Sequence, residues 1–357
     1  MKQSKQEAIR RTASEAKTWK VYRRAVEVWL VRLLSSLVPM LSRAWVMKCS
    51  KALGSIAYLV DERGRNVTLG NLEVAFGEQY DVAERERLAR DSYQNLARVF
   101  LDLLWSPNIT PENVYDILTV APNPEVEALR AADKPVIITG PHFGHWEFAN
   151  ILFGYAGFEF MIIATDIKNP EVDRVVNLLR ERSGQKIIRK GNAILRMVKR
   201  LKAGKTVGFL VDQSLRPEKP SIVVKFFGLP VCVSTIHVEL AIRTGAPIVH
   251  IWCYPEADGR YTMVTGKPIY LTSADDIEEK VQETMKAFED RVRERPELFL
   301  WNYKHWRFKP IHTRVKFPAY ANVSSNFDKK VARKFADRLE EAREAAATAD
   351  ALVNAER

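Results

Sequence analysis

The chain has 357 residues, 46% apolar and 28% charged, with a formal net charge of +11 and three cysteines. That length holds one large domain with appendages, or two domains, and the composition is ordinary for a packed globular core. Cys49, Cys232 and Cys253 are widely spaced, which excludes a disulfide framework and a paired-thiolate metal site and implies a reducing compartment.

Residues 1–24 carry eight Lys or Arg against Glu7 and Glu15, more than half of the net excess. A basic arm directly ahead of an apolar segment suits anionic phospholipid headgroups. Nucleic acid, the competing partner for a basic protein, is not expected, because no interleaved aromatic and basic pattern is present. No cleavable leader is expected either: the polar arm is too long for an n-region, and no small-residue cleavage site follows the apolar run.

Residues 25–60 form the most hydrophobic long stretch, interrupted by Arg32, Arg43, Lys48 and Lys51 and broken by Pro39. Its longest uncharged run, Leu33 to Ser42, is about half of the ~18–20 apolar residues that a spanning helix needs. An in-plane amphipathic helix or helical hairpin, with tryptophans at the interface, fits this pattern. A helix pair packed on the main domain fits it too, and a tilted span with snorkelling arginines is the third reading. The division expected is a basic arm (1–24), apolar membrane-associating helices (25–60), a main domain (61–312) and a C-terminal extension with a charged helix (313–357).

Within the main domain the periodicity predicts helices over much of 61–134, the strongest from Val82 to Trp105, where apolar residues recur every three to four positions. The interval Pro107–Pro124 reads as loops around a short strand. Strands are then predicted at Val136–Thr139, Phe160–Ala164, Ile187–Ile188, Val207–Val211, Ile222–Phe227, Ile248–Tyr254 and Tyr261–Val264. Helices are predicted at Trp146–Gly154, Glu171–Arg182, Ala193–Lys202, Thr235–Arg243 and Ile277–Arg293. This order implies an α/β fold: a mixed, largely parallel central sheet flanked by helices.

The segment Thr139-Gly140-Pro141-His142-Phe143-Gly144-His145-Trp146-Glu147 stands where a buried strand gives way to a helix. A neutral imidazole at a strand end can take a proton from a hydroxyl, while a nearby carboxylate fixes its tautomer and stabilises the imidazolium. His142 and Glu147 are therefore the candidate catalytic pair, and amides around Gly144 are candidate oxyanion donors. Zinc on His142, His145 and Glu147 is the weaker reading, since neighbouring residues of a strand-to-helix turn face different ways. No metal or other cofactor is expected. His145 is expected to pack or hydrogen-bond locally.

A second strand end, Val211-Asp212-Gln213, is expected at the same sheet edge, where open α/β sheets place ligands. Asp212 there can bind substrate, brace a basic residue or cap the turn. Arg189-Lys190-Gly191-Asn192 lies between a strand and a helix and suits a phosphate, with a solvated turn as the alternative. Phe226-Phe227 can wall an apolar channel or belong to the core. The mixture from Arg295 to Lys309 suits either a lipid-headgroup boundary or packing against the domain.

Taken in this order, Pro141 to Glu147, Val211-Asp212-Gln213, Phe226 to Pro230 and Arg295 to Lys309 resemble the bacterial lipid A biosynthesis (late, or secondary) acyltransferase family. The resemblance runs from about Val26 to Lys309 and implies a fold like that of glycerol-3-phosphate acyltransferases. It implies His142 as general base with Glu147 as its partner, and the candidate substrate contacts beside them are Gly144, Arg189, Lys190, Asp212 and Gln213. The implied reaction moves an acyl chain from a thioester, on acyl carrier protein or coenzyme A, to a hydroxyl of a glycolipid precursor at the cytoplasmic face of the inner membrane. No serine or cysteine sits in a nucleophile-elbow pattern, which agrees with direct transfer. Two departures stand out. Where the family commonly has tyrosine-arginine-proline, this chain reads Ala164-Thr165-Asp166, and His237 replaces a usual glycine. Relatives that acylate phosphatidylinositol mannosides keep the same His and Glu, so other lipid acceptors stay open, as does a nonenzymatic lipid-binding role.

Overall fold

The structure, a computed structural model, describes residues 2–155, 160–163, 167–188, 193–311, 313 and 315–334, without side chains at 2–18, 20 and 160. It opens with α1 (Lys2–Leu37), which continues through the Arg24–Ala25 boundary as one helix. A 3-10 turn at Val38–Met40 carries Pro39, and α2 (Arg43–Val60) follows, so proline breaks the apolar stretch at the expected place. Next come α3 (Glu62–Phe76) and α4 (Val82–Trp105), the latter capped by the Asp81 carboxylate, which accepts from the Glu84 amide.

One face of α2 (Val46, Ser50, Gly54, Tyr58) is buried, and the helix packs along α4. Gly54 permits the crossing, because a Cβ there would stand 2.3 Å from the Gln94 Cα. The other face leaves Trp45, Leu53, Ile56, Leu59 and Val60 in solvent. The segment is thus half a core element, and its second face is apolar and uncovered. No described helix is long and apolar enough to cross a membrane.

The chain then passes through the short α5 (Val114–Ile117), β1 (Leu118–Val120) and α6 (Pro124–Ala131). Beyond these the alternation is regular: β2 (Ile137–Gly140), α7 (Trp146–Tyr155), β3 (Phe160–Ile163), α8 (Pro170–Glu181), β4 (Lys186–Ile188), α9 (Ala193–Lys202) and β5 (Thr206–Leu210). After β6 (Ile222–Phe226), β7 (Leu229–Val233) and α10 (Ile236–Thr244) come β8 (Ile248–Pro255), β9 (Tyr261–Thr265) and α11 (Ile277–Glu294). Two-residue strands β10 (Phe308–Lys309) and β11 (Asn322–Val323) and α12 (Ser325–Lys334) complete the described chain.

Seven strands make one sheet in the order β1-β9-β8-β2-β5-β3-β4, antiparallel only between β8 and β9. Strand β2 lies between β8 and β5, all four of its residues buried, as a parallel strand covered on both faces must be. The register aligns Gly140 with Leu210, so β2 and β5 end at one level.

β6 and β7 leave this sheet as a separate antiparallel hairpin, a pairing the sequence pattern did not resolve. Its two-residue turn is Phe227-Gly228, both at positive φ, and Phe226 and Phe227 pack with Phe76, Trp301 and Trp306. They are core, and wall no channel. Phe299, Trp301 and Trp306 are likewise buried, so Arg295–Lys309 packs inward rather than forming a headgroup boundary. Asn71 ties this segment to α3, its side-chain amide donating to the Trp301 and Tyr303 carbonyls. The C-terminal extension is described only to Lys334, with Phe327 of α12 buried against Val223 and Cys232; residues 335–357 lie outside the described residues.

Candidate active site

His142 follows the end of β2 by two residues, and Asp212 follows the end of β5 by two. Because the strands are parallel neighbours in register, the two side chains meet: His142 Nδ1 lies 2.7 Å from Asp212 Oδ1. The Asp212 side chain is fully buried, while 18% of the His142 side chain reaches solvent. Burial alone would raise the Asp212 carboxyl. The attraction and hydrogen bond of His142 outweigh burial and hold it below the ordinary carboxylate range.

An ionised Asp212 accepts the Nδ1 proton and leaves the Nε2 lone pair outward. The Gln213 side-chain amide sits 3.3 Å from Nε2 and is the polar side chain nearest the reacting atom. Trp146 packs edge-on against the imidazole at 5.4 Å between centroids. A buried carboxylate, a tautomer-fixed imidazole and an Nε2 lone pair met by the Gln213 amide at 3.3 Å are the parts of a general base whose proton acceptor a substrate hydroxyl would take over from Gln213.

Glu147 is not the partner of His142. In the first turn of α7 it turns to α8, where Arg180 grips it through both oxygens, with Nε 2.7 Å from Oε2 and Nη2 on Oε1. Burial would lower the Arg180 pKa, but Glu147 outweighs it and raises the value, so the pair is ionic. The expectation fails for a geometric reason: Glu147 sits on a helix that carries it off the strand end, whereas Asp212 occupies the neighbouring strand end.

The oxyanion donors expected around Gly144 are also engaged elsewhere. The amides of Phe143, Gly144 and His145 donate to the carbonyls of Pro141, Leu298 and Cys253 at 2.8–2.9 Å. Gly144 has φ +61°, and a Cβ there would stand 2.0 Å from the Cys253 carbonyl oxygen. It lets the turn approach β8 closely. Arg189 and Lys190 lie outside the described residues.

His145 is structural, as expected. Its Nδ1 accepts from the Phe148 amide at 2.9 Å, capping α7, and its Nε2 faces Asp102 Oδ2 at 3.1 Å. Buried Asp102 of α4 also receives Arg43 of α2 and the Tyr261 hydroxyl of β9, with Arg98 at 3.5 Å. Burial opposes ionisation of Asp102, but His145 and Arg43 prevail and lower its pKa. His142, His145 and Glu147 therefore turn to three different partners.

Sequence reasoning missed Asp102 and Arg180. A charge inside the apolar run Val99-Phe100-Leu101-Asp102-Leu103-Leu104 was the available signal for the first, because a buried charge must be paired. Arg180 carried no comparable mark.

The model of the family described as "Bacterial lipid A biosynthesis acyltransferase" matches residues 14–308. Among curated proteins, a Haemophilus influenzae lipid A biosynthesis acyltransferase is 24% identical over 177 residues, 49% of this chain and 55% of the relative. The chain thus spans little more than half of that relative's length. Lipid A biosynthesis acyltransferase 1 of Shigella flexneri is 23% identical over 71% of this chain and 78% of its own. The lipid A biosynthesis lauroyltransferase of Escherichia coli is 21% identical over 79% and 92%.

Proposed function

Because the chain belongs to the bacterial lipid A biosynthesis acyltransferase family, and so is an acyltransferase, we propose that it acylates a hydroxyl of a lipid A precursor from an acyl thioester on acyl carrier protein. The observation that carries the mechanism is the His142–Asp212 pair at the shared end of β2 and β5. The acceptor hydroxyl gives its proton to His142 Nε2 as its oxygen attacks the thioester carbonyl carbon. Asp212 holds the ring by Nδ1 and stabilises the imidazolium. When the carbonyl re-forms and the carbon–sulfur bond breaks, the imidazolium returns the proton to the departing thiolate. The Gln213 carboxamide is the side-chain donor closest to this centre.

The acceptor is taken to be a lipid A precursor because the relatives are lipid A biosynthesis acyltransferases. Attachment to the cytoplasmic face of the inner membrane, through the uncovered apolar faces of α1 and α2, belongs to the same proposal.

The test incubates the protein with acyl carrier protein and coenzyme A thioesters, offering a lipid A precursor or total membrane phospholipid, and reads the product by mass. An acylated lipid A precursor is expected, made faster from the carrier-protein thioester, and His142→Ala abolishes it while leaving the fold intact. Acylated phospholipid alone would reassign the acceptor, and unimpaired transfer by His142→Ala would end the mechanism.

A further inference from the structure

His305 is joined to the turn that carries His142 through Leu300. The Leu300 amide donates to the His142 carbonyl, and His305 Nε2 faces the Leu300 carbonyl at 3.0 Å. The imidazole is buried and stacks on Phe299, with centroids 4.7 Å apart and planes at 22°. On the Asp212 side, the Tyr303 hydroxyl donates to the Ser214 carbonyl. The 300–305 loop that carries His305 is therefore tied to both strand ends, through His142 and through Ser214.

Asp212 Oδ2 and His305 Nδ1 are among the buried side-chain atoms without a described hydrogen-bond partner. With Nε2–H spent on Leu300, Nδ1 offers a bare lone pair, and the carboxylate oxygen is also an acceptor. Two acceptors do not bond each other, and buried polar groups are seldom left unsatisfied. A water has the two donors that satisfy both, and waters commonly occupy such polar interior sites.

We propose that His305 is a positioning residue for the His142–Asp212 base, acting through one buried water that donates to Asp212 Oδ2 and His305 Nδ1. The proposal rests on the reading of His142 as general base. Its physical content is that the water donates to the charged form of Asp212 and moderates the pull of that carboxylate on the His142 proton. Burial favours the role by keeping His305 uncharged, its pKa lowered to about 4 although Asp212 and the Leu300 carbonyl act to raise it. Nearby charges turn away from it: Lys304 lies over the Tyr320 ring and Arg307 over the Tyr303 ring. Tyr303 itself faces the imidazole at 5.0 Å.

The test records kcat and kcat/KM against pH for the full chain, for His305→Phe and for His305→Gln. Phenylalanine keeps the stack but removes the acceptor, so the acid limb should move up by ~0.5–1 pH unit with KM little changed. Glutamine offers an acceptor again and should restore most of the shift. An unmoved acid limb in folded His305→Phe, or a loss confined to KM, overturns the proposal. A crystal structure of the unsubstituted protein checks it without any variant: water is expected on both atoms, and a protein donor on either overturns it. An inactive parent protein, or full activity in His142→Ala, would instead strike the acyl-transfer reading and leave the crystallographic water to decide the role of His305.

Discussion

At the scale of single residues, the carboxylate that matters most to His142 is Asp212. Asp212→Asn keeps the shape but loses the charge that fixes the tautomer and stabilises the imidazolium. It should lower kcat on the order of 10²–10⁴-fold with a small change in KM. Glu147→Gln leaves the base intact and strips Arg180 of its counter-charge. Its larger effect should be on stability, about 1–3 kcal/mol, because a mostly buried cation keeps only the Asn177 acceptor and the more distant Asp173 charge beside the neutral carboxamide. Parallel kinetics and urea unfolding of the two variants separate these roles. A kcat loss in Glu147→Gln equal to that of Asp212→Asn would refute the assignment. The site was half legible in the sequence: His142 and Asp212 both stood at strand ends, and bracing of a basic residue was one of the roles open to Asp212. Which carboxylate did so was not legible, since it depends on β5 lying beside β2 across 70 residues of chain.

At the scale of elements, α2 shows how one segment answers two demands. Its Val46–Tyr58 face is buried and its neighbour α4 supplies Asp102, to which Arg43 returns a charge-assisted bond. Its other face, with that of α1, presents Trp19, Trp29, Leu33, Leu37, Trp45 and Leu53 to solvent beside Arg32 and Lys48. Trp29 is 64% and Trp45 58% exposed, unusual for residues with so much apolar area to bury. If this face lies in a membrane interface, the protein should float with vesicles containing anionic phospholipid and less with neutral ones. Trp29→Glu with Trp45→Glu should abolish flotation without lowering the unfolding midpoint. Undiminished flotation of that variant would refute the assignment of the face. The sequence pattern left membrane hairpin and core pair open because a moment shows that a helix has two faces, not what each one meets.

At the scale of the whole molecule, four buried histidines make the fold sensitive to acid: His145, whose lowering Asp102 partly offsets, and His237, His250 and His305. Burial lowers His237 to about 3, with His250 adding to it, and lowers His250 and His305 to about 4. A histidine in the unfolded chain titrates near ~6.5, so below that pH the unfolded state binds protons that the folded state refuses. Stability is therefore complete above ~6.5 and lost as pH falls toward 4, by at most about 4 kcal/mol per pH unit for the three together. Urea midpoints at pH 7.5 and 5.5 should show the drop, and equal midpoints would contradict neutral burial. His237→Gly, which removes one of the three, should make the dependence shallower.

The sequence by itself determined the alternation of strands and helices, the position of His142 at a strand end and the family, because periodicity, turn residues and short motifs are local properties of the chain. Only the tertiary structure decided that Asp212 backs His142, that Arg180 holds Glu147, and that the Gly144 amides serve the scaffold. Those pairings follow from the order and register of strands and from helices packed across them. Such contacts join residues 33 to 154 positions apart, and no local pattern encodes them.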